Sequence, residues 1–312
     1  MIKKIKFFFA SIIKRVFAEE INKKLVLEGK KISLINNKLK RINNLSDIEF
    51  RVYSQWGEDG IIDWLVNRFP NLPKTFLEIG TEDYQESNTR FLLINKNWNG
   101  YLIEANRIAV EKIKSQRIYW KHNIKVINNF VTKENINNII KKTGIPKKIG
   151  LLSLDIDGID YWVLKNLSAV DPSIIICEYN SLYGLKQPIT VPYKKDFIRS
   201  KEHYSNLYYG ASIQAFIDLL KRKNYFLLGT NSAGNNAFFM KKNFFNKTNK
   251  VINEKKIFTS KFRESRNNKG KLSFLSKKDS LRLIQNQFFI DLKDNKKKKL
   301  ANIKLIKKNK IL

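Results

Sequence analysis

The sequence predicts an α/β domain built on a mostly parallel sheet and closed by an antiparallel hairpin. Three observations carry that expectation. Short apolar runs alternate with amphipathic helical segments between residues 75 and 240, the pattern of a doubly wound sheet. Three of those runs bear a carboxylate at or near their end: Glu78 in 75–79, Glu104 after 101–103, and Asp155 after 150–154. Last, two apolar runs, 225–228 and 237–240, flank the turn-forming stretch Asn231-Ser232-Ala233-Gly234-Asn235-Asn236, which reads as a hairpin.

The elements follow in order. Residues 1–48 read as a polar, basic helical extension. The main domain opens at residue 49 with Ser54-Gln55-Trp56-Gly57-Glu58-Asp59-Gly60 and a helix through Ile61, Leu65 and Val66, ended by Pro70 and Pro73. Strands are expected at 75–79, 101–103, 125–127, 150–154 and 173–177, with helices near 88–95, 107–115, 133–142 and 161–167. The polar and aromatic stretch 179–210 is long enough for a lid or substrate loop. A helix at 212–221 leads into the closing hairpin. Residues 241–312 form a basic C-terminal extension.

Lys and Arg outnumber Asp and Glu by 60 to 28, a net charge of +32. The excess is uneven: residues 1–50 carry +7, residues 51–240 carry +7, and residues 241–312 carry +18. The middle is thus an ordinary globular domain between basic flanks. Such flanks raise an anionic membrane, nucleic acid or an acidic polymer as partners. Lys dominates over Arg, the better residue for base and phosphate recognition, so nucleic acid is disfavoured. Cys177 is the single cysteine. It excludes an intrachain disulfide and a multi-cysteine zinc site, makes cytoplasm the default location, and reads as a buried small residue. No run reaches the length of a membrane span. On a helix, Ile2, Ile5, Phe9, Ile12 and Val16 share a face opposite Lys3, Lys4 and Lys14, a pattern compatible with peripheral contact to an anionic membrane.

Open α/β sheets bind ligands at the carboxyl edge of their strands. A carboxylate at Glu104, closing the second strand, is placed to grip the two hydroxyls of a ribose. The first strand–loop junction reads Glu78-Ile79-Gly80-Thr81-Glu82-Asp83. A dinucleotide site wants several glycines there; here one glycine stands among acids. Acids repel phosphate and attract a sulfonium or an amine, which favours S-adenosylmethionine over NAD or ATP. Asp155, Glu178 and Asn180 are expected at neighbouring strand ends, all hard oxygen ligands suited to Mg²⁺. His203, in the long loop, is a candidate base. The fourth strand ends without the prolines of base N-methyltransferases.

Gln55-Trp56-Gly57-Glu58-Asp59, the run 76–81, Ser87-Asn88-Thr89, the run 98–104 and the run 154–164 together resemble the FkbM-type methyltransferases over about residues 51–240. That pattern usually has a second Gly after the first strand and a Glu where Asp157 stands. The resemblance implies a class I, Rossmann-like fold and S-adenosylmethionine-dependent O-methylation of a sugar or other small hydroxyl-bearing acceptor. By position, Gly80 and Thr81 would pass the methionine part of the cofactor, Glu78 and Asp83 would hold its amino group, and Glu104 its ribose. Asn129, Phe130 and Val131 would flank adenine. Asp155, with Glu178 and His203, would serve the reacting centre. Two other readings stay open: a non-catalytic module that binds membrane or acidic polymer through its flanks, and an RNA methyltransferase. A further expectation is that residues 257–290 fold back near the site, with Arg263 and Arg266 on one helical face holding an anionic acceptor, and that the tail after Asp294 is a solvated appendage.

Overall fold

A computed structural model describes residues 2–260 and 264–303; the side chains of residues 2–16, 18 and 19 lie outside that description. The apolar face expected on Ile2, Ile5, Phe9, Ile12 and Val16, and the expected role of Arg263, therefore fall outside the described residues.

Among the described residues ten strands form two sheets. β1 is Thr75–Ile79, β2 Asn99–Glu104, β3 Ile124–Asn128, β4 Lys148–Leu154, β5 Asp171–Glu178, β6 Ile189–Thr190, β7 Tyr225–Thr230, β8 Asn236–Lys241, β9 Phe288–Asp291 and β10 Lys296–Lys299. The large sheet has the order β3-β2-β1-β4-β5-β8-β7. Its first five strands are parallel, and β8 runs antiparallel to both β5 and β7. This is the expected α/β class with its closing hairpin, and the five parallel strands fall where the apolar runs placed them. The central strands are buried on both faces, as helix-covered parallel strands must be. Alternate residues face opposite layers. Leu77, Ile79, Leu152, Leu154 and Ile175 pack under one set of helices with Ile139, Val163 and Phe216. Phe76, Leu102, Leu151, Ile174 and Ile176 pack under the other with Ile61, Leu65 and Ile113.

Helix ends follow local chemistry. Asn106 caps the helix Arg107–Ser115 by accepting from Ile108 N and Ala109 N. Ser212 caps Ile213–Arg222. Gly144, in a left-handed conformation, stops Ile136–Thr143. The N-terminal helix Ile2–Asn36 docks through its C-terminal half. Ser33 Oγ donates to Asp63 at 2.5 Å and Asn36 Nδ2 to Ile48 O at 3.0 Å. Among the described residues, no helix is long and apolar enough to cross a membrane.

The C-terminal segment departs from expectation. Lys296–Lys299 is a strand, β10, paired antiparallel with β9, which in turn pairs with β6 from the long loop. Asn295, with φ of 56°, makes the tight connection. The sequence hides this hairpin because four lysines carry no apolar alternation; pairing with β9 decides it. Nor do residues 264–266 form a helix: Arg266 makes an isolated antiparallel bridge with Leu272, and its guanidinium turns to Gly270 O. The fold-back itself is present. Arg266 N donates to Ser205 O and Ser260 N to Ser181 Oγ.

Candidate active site

The carboxyl ends of β1, β2, β4 and β5 open into a cleft of about 460 Å³, within the range of small-molecule sites. Gly80 makes the edge possible. It sits at φ of 82°, and a Cβ there would come within 1.6 Å of the Asp155 carbonyl oxygen. Only glycine allows β1 and β4 to come this close.

Glu104 shapes the loop that follows. Its Oε2 accepts from Thr81 N and Glu82 N at 3.0 and 2.8 Å, and its Oε1 from Asn106 N at 2.7 Å. Oε2 already accepts two bonds, and Oε1, which accepts one, still offers a lone-pair direction to a ligand. Glu82 and Tyr84 hold left-handed conformations, φ 46° and 60°, which non-glycine residues adopt at a cost. Tyr84 thus takes a conformation that glycine would adopt freely. It is fully buried, and its hydroxyl meets Thr89 Oγ1 at 2.9 Å.

Glu78 also lines the cleft, but its carboxylate anchors the chain. It accepts from Ser87 Oγ at 2.7 Å, Asn88 N at 3.0 Å, Thr89 N at 3.2 Å and Thr89 Oγ1. Burial pushes it above the ordinary carboxylate range despite those bonds. Asp83 is not at the cleft. It accepts from Gln85 and faces Lys112 at 3.9 Å; the tight loop turns Glu82 inward in its place. Thr81, Asn129, Phe130 and Val131 line the cleft as expected. Thr81 Oγ1 and Asn236 Oδ1 are buried cleft atoms with no hydrogen-bond partner in the protein.

At the far end Asp155, Asp157 and Glu178 place carboxylate oxygens within 4.8 Å of one another. Burial, then the charges of Asp157 and Asp160, push Asp155 well above its usual range. Burial, then Asp155 and Asp157, does the same to Glu178. Two such acids, placed this close, oppose each other's ionisation. Arg199 stands beside them. It pairs with Asp157 at 2.5 Å and with Glu264, and its guanidinium stacks 3.5 Å from the Tyr209 ring centre. Burial alone would lower its pKa, but Tyr209, Asp157, Glu178 and Glu264 raise it, so it stays cationic.

Besides Asp83, two expected site residues lie elsewhere. Asn180 is spent on the backbone: its Oδ1 caps Leu182 N, and its Nδ2 donates to Leu207 O and Tyr209 O. Asp157 stands in the acid cluster instead. His203 bonds Ser205 Oγ at 2.7 Å and stacks on Tyr204, away from the cleft lining. Sequence reasoning missed Glu82, Arg199 and Glu264. An arginine in a lysine-rich loop was the one available signal for Arg199; Glu264 was marked only by its place in the segment 257–290 expected to fold back.

Eight acidic side chains line the cleft, namely Glu78, Glu82, Glu86, Glu104, Asp155, Asp157, Glu178 and Glu264, and Arg199 is the only cationic one among the described residues. The strand order and the single reversed strand are those of class I methyltransferases. No protein-family model matches the chain, and no curated protein does. Solved structures do show a likeness. The N-terminal domain of EvdMO1 with SAH bound is 10% identical over 67% of this chain and 94% of that one, with a TM-score of 0.39. An S-adenosylmethionine-dependent methyltransferase from Clostridium acetobutylicum is 14% identical over 59% and 90%, TM-score 0.38. The O-methyltransferase from Bacillus cereus in complex with SAH is 14% identical over 70% and 89%, TM-score 0.38. Likenesses this distant bear on no residue's role; the chemistry rests on the cleft itself.

Proposed function

We propose that the chain is an S-adenosylmethionine-dependent O-methyltransferase of the FkbM type, acting on a hydroxyl of a sugar or similar small acceptor. Residues 49–240 would carry the activity, with residues 1–48 and 241–312 as extensions. The observation that carries the reading is an acid-lined cleft at the strand edge, with Glu104 closing β2 and the Asp155–Glu178 pair facing it. Its charge suits a sulfonium and an amine and opposes a nucleotide phosphate. Unpartnered Thr81 Oγ1 and Asn236 Oδ1 are polar atoms that a bound polar ligand would satisfy. The residues present therefore fit the cofactor.

When bound, S-adenosylmethionine supplies an electrophilic methyl group on a sulfonium. Glu104 holds the ribose hydroxyls while keeping its loop in shape. Thr81 and Gly80 line the path of the methionine part, Glu82 stands where Asp83 was expected beside the amino group, and Phe130 with Val131 covers the adenine. An ionised carboxylate of the Asp155–Glu178 pair would accept the proton of the acceptor's hydroxyl as that oxygen took the methyl and the sulfonium became a neutral thioether. Arg199 balances the charge of the cluster.

A second reading has its own observation. Three carboxylates, from Asp155, Asp157 and Glu178, converge closely enough to hold one divalent cation such as Mg²⁺, which would acidify the hydroxyl directly. The test is calorimetry of the purified chain with S-adenosylmethionine, ATP and NAD, followed by methyl transfer from labelled cofactor with and without EDTA. The proposal expects binding of the first ligand alone. Turnover that EDTA abolishes and Mg²⁺ restores selects the metal reading, and full turnover in EDTA selects the carboxylate base. Absence of S-adenosylmethionine binding would overturn the proposal.

A further inference from the structure

A second cavity of about 220 Å³ lies next to the first. Glu264 lines both. Behind it, Tyr209 walls the second cavity, carries the Arg199 guanidinium on its ring, and reaches Glu178 Oε1 at 3.5 Å. The two spaces thus meet at Glu264, with Tyr209 standing between the second cavity and Glu178.

The C-terminal segment builds the outer wall. Gly234, at φ of 77°, lets the segment pass: a Cβ there would lie 2.5 Å from Ser260 N. Ser260 N donates to Ser181 Oγ at 2.9 Å, Leu275 N to Ser265 Oγ at 3.0 Å, and Tyr179 Oη to Phe258 O. The bond from Arg199 to Glu264 fastens the segment to the long loop. These contacts come from three distant parts of the sequence, so the cavity is assembled and is not a surface accident.

Its lining has a definite chemistry. Ser181, Ser265 and Ser280 bring hydroxyls, Asn235 an amide, Tyr209 an aromatic face, and Lys277 the only ammonium among the described residues. Hydroxyls and amides both donate and accept, which matches a ring bearing several hydroxyls and not a flat apolar one. Lys277 is an exposed residue of the lining, so its ammonium is open to an anion arriving from solvent. Glu264, the other charged group of the lining, is already paired with Arg199.

We propose that this second cavity is the acceptor subsite, and that it takes a polyhydroxylated ring carrying one acidic group, with the acid at Lys277 and a hydroxyl directed past Glu264 to the Asp155–Glu178 pair. The assignment rests on the methyltransferase reading for the word acceptor; the ligand chemistry rests on the cavity. The test uses saturation-transfer NMR on the full chain, with and without S-adenosylhomocysteine, and with D-glucuronate, D-glucose and catechol as probes. Glucuronate is expected to bind at least fivefold more tightly than glucose, and catechol not at all. Lys277→Ala should erase the glucuronate preference. Leu275→Trp, which fills the cavity, should weaken both sugars at least tenfold. Both variants should keep S-adenosylhomocysteine affinity by calorimetry within twofold of the parent, which also shows that they fold. Equal binding of glucuronate and glucose, sugar binding unaffected by Leu275→Trp, or preference for catechol would each overturn the subsite. Failure of S-adenosylhomocysteine to bind the parent chain, with the sugar pattern intact, would instead sink the methyltransferase reading and leave the cavity's ligand class standing.

Discussion

Replacing Glu104 by Ala separates the two tasks given to that carboxylate. In the free protein it accepts three backbone N–H groups, from Thr81, Glu82 and Asn106, and the residue is only 8% exposed. A hydrogen bond to a charged group contributes about 1.5–3 kcal/mol. Cleft water can reach the freed N–H groups, so the loss should sit at the low end, about 2–4 kcal/mol in all. Glu82, at φ of 46°, loses the contact that holds it. If Oε1 accepts a ribose hydroxyl as proposed, the cofactor would lose that contact as well, about 1.5–3 kcal/mol, or roughly tenfold to a hundredfold in affinity. Glu104→Gln is the informative partner. Its amide oxygen can keep the Thr81 and Glu82 bonds, while its NH₂ confronts Asn106 N–H, so it should recover most of the stability and little of the ribose affinity. Urea unfolding without ligand reads the first quantity and calorimetry with S-adenosylhomocysteine reads the second. A Glu104→Ala protein with unchanged unfolding, or with affinity within threefold of the parent, refutes the reasoning.

Three other outcomes follow from single contacts. Burial raises the Asp59 carboxyl to about 6, outweighing its bonds from Val52 N, Tyr53 N and Ser54 N; its stabilising contribution is therefore complete below the unfolded value near 4 and is lost as pH rises through 6. Asp59→Asn should flatten that part of a urea-midpoint profile between pH 4 and 7, and an unchanged slope would clear Asp59 of the effect. Gly80→Ala puts a methyl group 1.6 Å from the Asp155 oxygen; β1 and β4 must separate there, and S-adenosylhomocysteine binding measured by calorimetry should be lost even where circular dichroism shows a folded sheet. Truncation after Asp294 removes β10 and strips β9 of a partner, so the melting temperature should fall by several degrees, about 2–4 °C per kcal/mol lost. A tail that was merely solvated would leave the melt unchanged.

The sequence by itself determined the sheet and most of the cleft. Apolar runs and punctuating Gly and Pro are local signals, and all five parallel strands and the hairpin lie where those signals put them. Glu104, Gly80, Thr81, Asn129, Phe130, Val131, Asp155 and Glu178 line the cleft because strand ends fix them. Only the tertiary structure decided the rest. Asn180 was legible as a strand-end residue, but its amide could be seen to cap Leu182 N only once the loop was folded. Asp83 and Glu82 are neighbours in sequence, and the fold of their loop, left-handed at Glu82, set which of them lines the cleft. Arg199, Asp157 and Glu264 meet from separate segments, and no spacing in the chain announces such a meeting. Local propensity is written residue by residue; which distant side chains share a cavity is set by how the layers and the C-terminal segment pack across the finished sheet.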